Sequence, residues 1–184
     1  MNMKNIIMLH GRGASKEDML SFSTILPKAN YIALQAPTPN SSWYPNSFLA
    51  PKEANEPYIT DAINMILEKV KDYAPESVII LGFSQGACLV TEFALRHPDK
   101  YGGLLVFSGG YIGNILPEPV DLKGTPIFIG CSENDPFIPL KRVDETIELF
   151  KKSNTNLNAY TYEGNTHTIS SQEIEFASKI ILMD

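Results

Sequence analysis

Two kinds of apolar pattern alternate along the chain. Short runs rich in Ile, Val and Leu occupy residues 5–9, 78–81, 103–107 and 126–131, and weaker strand-like stretches occupy 31–35 and 157–162. Runs this short, bounded by Gly, Pro, Asn or Ser, predict strands, those at 5–9 and 78–81 buried ones. Between them, apolar residues recur every three or four positions. Ile59, Ile63, Ile66, Leu67 and Val70 form one such stripe and predict a helix from about residue 60 to 73. Further helices are predicted from Ser15 to about Ile25, from just after Gly86 to Arg96, from Pro139 to about Lys152, and from about Ser170 to Leu182. Ser15 and Asp18 have the spacing of a capping box, and Pro139 suits a first helical turn. Strands alternating with helices predict an α/β fold with a mostly parallel sheet. Residues 36–57 break the alternation. They hold five prolines and read as a long loop, which in a compact fold is usually functional.

Composition narrows the class. Hydrophobic residues make up 43 % of the 184 and charged residues 20 %, ordinary values that disfavour disorder. A chain of this length fits one domain with one core, and no repeat or linker marks a second, so residues 1–184 are expected to form a single domain. The net charge of −6 and the lack of any long Lys/Arg cluster argue against a nucleic-acid partner. No apolar run has the roughly 20 residues of a membrane span. The apolar stretch near the N-terminus is too short for a signal segment and reads as a first strand. Cys88 and Cys131 fall inside a predicted helix and strand, which suggests buried free thiols and a cytoplasmic setting.

Candidate chemistry lies where strands end. Gly82-Phe83-Ser84-Gln85-Gly86 is a G-x-S-x-G between a predicted strand and a predicted helix. A sharp strand-to-helix turn would hold Ser84 in a strained conformation with its hydroxyl raised above the sheet edge, and flanking glycines let strand and helix approach. Ligands of parallel sheets bind beyond the carboxyl ends of the strands. Asp135 follows the strand ending at Cys131, and His167 follows the one ending at Tyr162. The order Ser, Asp, His is that of α/β-hydrolase triads. A serine hydroxyl needs a base to remove its proton, and the imidazolium so formed needs a carboxylate to orient and stabilise it. The backbone N–H groups of Gln85 and of Arg12, in the His10-Gly11-Arg12-Gly13 turn, are candidate oxyanion donors. The Arg12 side chain has two readings: a pair with a loop carboxylate, or contact with an anionic substrate group. His10 reads as a support for its own turn and His97 as a helix-end residue. The three histidines are scattered, and no cluster has metal-ligand spacing.

Taken together, Leu9-His-Gly-Arg-Gly13, Gly82-Phe-Ser-Gln-Gly-Ala87, Phe107-Ser-Gly-Gly110, Gly130-Cys-Ser-Glu-Asn-Asp-Pro-Phe-Ile-Pro139 and Gly164-Asn-Thr-His167 resemble the small carboxylesterase/phospholipase family of α/β-hydrolases that includes the acyl-protein thioesterases. The likeness runs over nearly the whole chain. It implies an α/β-hydrolase fold: a mostly parallel sheet of about six or seven strands flanked by helices, without a large cap domain. It implies cofactor-free hydrolysis of esters or thioesters by Ser84, Asp135 and His167, with Arg12 and Gln85 as oxyanion donors. The loop with Ser42-Trp-Tyr-Pro45 is similar to bacterial esterase relatives more than to the thioesterase branch.

The expected partner is a small-molecule ester of short to medium acyl chain, held by Trp43, Tyr44, Phe48, Tyr111 and Phe137. Trp43 is assigned to the pocket because a proline-rich loop offers little core to join. Acyl transfer to a non-water acceptor, or perhydrolysis, would use the same triad, and a non-catalytic binding protein of hydrolase ancestry is a third reading. Pairing into a homodimer through the last helix is left open.

Overall fold

A computed structural model describes residues 3–183. Six strands form one sheet: β1 (Asn5–Leu9), β2 (Asn30–Leu34), β3 (Val78–Phe83), β4 (Gly103–Phe107), β5 (Thr125–Ser132) and β6 (Thr155–Tyr162). They lie in the order β2-β1-β3-β4-β5-β6, and every neighbouring pair is parallel. Four helices lie in the connections, α1 (Lys16–Ser21), α2 (Tyr58–Val70), α3 (Gln85–Arg96) and α4 (Leu140–Lys151); a fifth, α5 (Ser171–Ile181), follows β6, and β4 runs to β5 without a helix. No large cap domain covers the sheet among the described residues.

The strand side chains sort by the period of two. Ile7, Leu9, Ile80, Leu104, Val106, Ile127 and Ile129 face one side and pack with α2, α3 and α4 through Ile63, Val90, Phe93, Val143 and Phe150. Ile6, Met8, Ile79, Leu81, Leu105, Phe107 and Phe128 face the other and pack with α1 and α5 through Met19, Ala177 and Ile180. In the inner strands β1, β3, β4 and β5, burial on both faces is what selects continuous apolar runs over alternating ones; the edge strands β2 and β6 are only partly covered.

Several boundaries differ from the sequence expectation. The Ser15 capping box forms, with the Asp18 N–H donating to Ser15 Oγ and the Ser15 N–H to Asp18 Oδ2. The α-helix ends at Ser21, however, and a 3-10 turn at Phe22–Thr24 carries the chain on. Helix α2 starts and stops a little earlier than its stripe suggested. A second capping box joins Ser170 and Glu173 at the start of α5. The long loop contains a 3-10 turn at Lys52–Asn55.

The chain leaves β1 for β2 on one side and returns to β3 on the other. The connection therefore reverses between β1 and β3, and a crevice opens there beyond the strand ends. The loops after β1 and β3 carry Arg12 and Ser84.

Candidate active site

Ser84 sits between β3 and α3 with φ 55° and ψ −117°. A non-glycine residue held there costs about 1–3 kcal/mol and persists only where the surroundings impose it. The impositions are visible. The Ser84 N–H donates to the Phe107 carbonyl of β4 at 2.9 Å, and its own carbonyl accepts from Cys88 N–H at 3.1 Å. A Cβ at Gly82 would overlap the Gly86 carbonyl group, and one at Gly86 would overlap the Leu9 carbonyl of β1. The two glycines thus let α3 start directly against two strands, and the turn falls on Ser84.

The hydroxyl, an imidazole and a carboxylate form one chain. Ser84 Oγ lies 2.9 Å from His167 Nε2, and His167 Nδ1 lies 2.7 Å from Asp135 Oδ2. A carboxylate only accepts, so Nδ1 carries the proton and Nε2 is free to accept from the serine hydroxyl. The Asp135 side chain is fully buried, and its other oxygen accepts the N–H groups of Phe137 (2.8 Å) and Ile138 (3.0 Å). The Cys131 thiol donates to Oδ2 at 3.7 Å. Burial, and then the nearby Asp135 charge, push that thiol up to about 12, so it stays protonated. The His167 ring lies between two others, Phe83 at 4.8 Å and Phe137 at 5.0 Å. Such an arrangement can move a proton from serine to histidine while the carboxylate steadies the charge.

The first N–H of α3 belongs to Gln85 and has no partner within its own helix. In the turn after β1, Gly13 N–H donates to Ser41 O and Ala14 N–H to Gly11 O. The Arg12 N–H, one residue before Gly13, makes no hydrogen bond to protein among the described residues. Of the two readings of the Arg12 side chain, the pair with a loop carboxylate does not form. Its guanidinium meets no carboxylate, and three of its five N–H groups are taken by the loop. It donates instead to the carbonyls of Tyr44 (3.0 Å), Pro45 (3.1 Å) and Asn46 (2.9 Å). The Gln85 side chain is structural as well. Its Oε1 accepts Trp43 N–H at 2.8 Å, and its Nε2 donates to Tyr44 O at 2.8 Å.

A cavity of about 350 Å³ opens above Ser84, lined by Arg12, Tyr44, Ser47, Phe48, Ser84, Gln85, Cys88, Phe137, Ile138 and His167. Tyr44, Phe48 and Phe137 are where the sequence put them. Trp43 and Tyr111 are not. Trp43 is 0 % exposed, and its indole N–H donates to the His10 carbonyl at 2.8 Å. The loop does have a core to join, because His10 opens a buried slot that the indole fills, with the rings 5.1 Å apart. His10 is held in turn: its Nε2 accepts the Ala36 N–H at 3.0 Å, which puts its proton on Nδ1, toward Gly11 O. Tyr111 is buried behind the cavity, its hydroxyl donating to Glu145 and its ring 3.8 Å from the Arg142 guanidinium. Arg142 also lies 5.5 Å from the Phe48 ring and so backs the cavity wall. Ser47 and Cys88 line the cavity although the sequence reading did not assign them there. Cys88 was findable, since it stands four residues after Ser84 on the same helical face. Burial pushes its thiol up to about 11, so it presents a neutral, weakly polar surface.

Comparison with known proteins agrees with this architecture. The sequence model of the phospholipase/carboxylesterase family matches residues 2–183. Acyl-protein thioesterase 1 of Kluyveromyces lactis is 32 % identical over 132 residues, an alignment covering 64 % of this chain and 57 % of the relative. The corresponding protein of Debaryomyces hansenii is 27 % identical over 208 residues, covering 96 % of this chain and 89 % of the relative. The first alignment thus spans little more than half of its relative and the second nearly all of it. The crystal structure of a phospholipase/carboxylesterase from Dyadobacter fermentans superposes with a TM-score of 0.89 at 36 % identity, covering 98 % of this chain and 90 % of that one. The chain therefore belongs to the phospholipase/carboxylesterase family of α/β-hydrolases, whose relatives named here are ester- and thioester-bond hydrolases.

Proposed function

We propose that the chain, as a single α/β-hydrolase domain, is a serine hydrolase that cleaves carboxylic esters or thioesters of short to medium acyl chains through an acyl-enzyme on Ser84. The observation that carries this reading is the unbroken Ser84–His167–Asp135 chain at 2.9 and 2.7 Å, on a serine whose backbone is held out of its comfortable range.

In the proposed first step Ser84 Oγ attacks the carbonyl carbon while His167 Nε2 takes the hydroxyl proton. Asp135 keeps Nδ1–H in place and stabilises the imidazolium. The Arg12 and Gln85 N–H groups receive the negative carbonyl oxygen, where each donor is typically worth about 10²–10³ in rate. His167 returns the proton to the departing alcohol or thiol. Water then attacks the acyl-enzyme with His167 again as base. The size of the cavity and its buried walls at Tyr44, Cys88 and Ile138 favour short to medium acyl groups. A cytoplasmic setting is part of the proposal, supported by two buried cysteines that form no disulfide.

The test is hydrolysis of p-nitrophenyl butyrate by wild type and Ser84→Ala. The variant is expected to fold and to lose activity by roughly 10⁴-fold or more. Wild-type rates in Ser84→Ala would sink the proposal.

A further inference from the structure

The geometry points to Phe137 as a platform for the leaving group, selecting esters and thioesters whose alcohol or thiol portion is aromatic or otherwise flat and apolar. This inference rests on the hydrolase reading of Ser84, His167 and Asp135, and it assigns the two halves of the substrate to two sides of the cavity.

Chemistry sets three directions around the reacting carbon. The carbon must meet Ser84 Oγ. Its carbonyl oxygen must turn toward the Arg12 and Gln85 N–H groups. The leaving atom must come within reach of His167 Nε2, which delivers the proton. In balanced form, the Ser84 Oγ–carbon bond forms as the serine proton passes to Nε2. The bond from carbon to the leaving oxygen or sulfur then breaks, its electron pair stays with that atom, and the proton on Nε2 follows. One direction remains, and the acyl chain takes it. The lining left for it is Tyr44, Phe48, Cys88 and Ile138, of which Tyr44, Cys88 and Ile138 are buried. Cys88 sits one helical turn from Ser84, so this side is walled by buried side chains close to the nucleophile.

The side beside His167 is different. Phe137 lines the cavity, its ring stands edge-on to His167 at 5.0 Å, and it is 68 % exposed. Its backbone N–H is committed to Asp135 Oδ1 at 2.8 Å, so the turn that holds the carboxylate also fixes the backbone from which the ring projects. A group departing from His167 Nε2 passes this ring on its way to solvent. An aromatic or flat apolar group buries the exposed face as it does so; a methyl group cannot.

The test compares methyl, phenyl and 2-naphthyl acetate on wild type, Phe137→Ala and Phe137→Trp. The variant-to-wild-type ratio for each ester cancels the intrinsic reactivity of its leaving group. Phe137→Ala is expected to lower kcat/KM for 2-naphthyl acetate roughly tenfold more than for methyl acetate, chiefly through KM. Phe137→Trp is expected to restore the preference, and a series of phenyl esters should keep its acyl-length profile in Phe137→Ala. An equal loss on all three acetates would overturn the inference, since the ring would then only brace His167. A changed acyl-length profile with no leaving-group effect would also overturn it, by putting the acyl chain on Phe137. Failure of the underlying reading is separate and shows as activity surviving in Ser84→Ala.

Discussion

The side-chain carbonyl of Gln85 accepts the backbone N–H of Trp43 at 2.8 Å. The residue next to Ser84 is thereby tied to the deepest point of the long loop, and its amide nitrogen holds the neighbouring Tyr44 carbonyl at 2.8 Å. The loop is part of the site's frame, and the frame is built from both ends.

Removing this tie leaves buried groups unpaired. Each such group costs about 1–3 kcal/mol. Gln85→Ala should therefore lower stability by about 2–4 kcal/mol, measured by urea unfolding, while the Gln85 backbone N–H remains. Activity at temperatures well below the transition should fall much less than in Ser84→Ala. A variant as stable as wild type would mean that the loop is held by other contacts.

Arg12 braces the same loop from the opposite side. Hydrogen bonds from a charged donor to three carbonyls contribute more than neutral ones, about 1.5–3 kcal/mol each at most. Its partly exposed position reduces that figure. Arg12→Ala is expected to raise KM several-fold, because Tyr44 and Ser47 lose their fixed place in the cavity wall. The effect should be the same for neutral esters and for esters bearing a carboxylate if bracing the loop is the main work of the guanidinium. A loss confined to anionic esters, seen in paired kinetics, would show the substrate-contact role.

The parts legible in the sequence are those set by local chemistry. The four inner strands β1, β3, β4 and β5 show as continuous apolar runs because both sheet faces are covered there, while the edge strands β2 and β6 are half exposed and show a weaker pattern. Ser84, Asp135 and His167 could be placed because parallel strands bring all their ends to one edge. The side-chain targets of Arg12 and the location of Trp43 depend on the path of residues 36–57 through space. That path is set by long-range bonds to His10 and Gln85, which leave no periodic trace. Tyr111 follows β4 and so stands near the right edge, yet Arg142 and Glu145 of α4 draw it behind the wall. The α5 capping box was readable from Ser170 and Glu173 by the same rule that found Ser15 and Asp18.

That second box carries a pH signature. Burial pushes the Glu173 carboxyl above its ordinary 4.5, against the pull of the hydrogen bonds from Ser170. One of its oxygens has no partner. A carboxyl raised in the folded state is most favourable below its unfolded value, and its contribution declines as pH rises through the folded value. Glu173→Gln keeps the acceptor for Ser170 N–H and removes the titration. The stability of Glu173→Gln relative to wild type should therefore increase between pH 4.5 and neutrality, followed by thermal unfolding at each pH. A gap that does not change with pH would contradict the assignment of a buried, titrating Glu173.

The central claim is that Ser84, activated by His167, is the residue that becomes acylated. A fluorophosphonate reacts with an activated serine and leaves a stable adduct that peptide mass mapping can locate. The account predicts stoichiometric labelling at Ser84, loss of esterase activity in step with labelling, and no labelling in His167→Ala. An adduct mapped to another residue, or full esterase activity after Ser84 has been labelled, would contradict it.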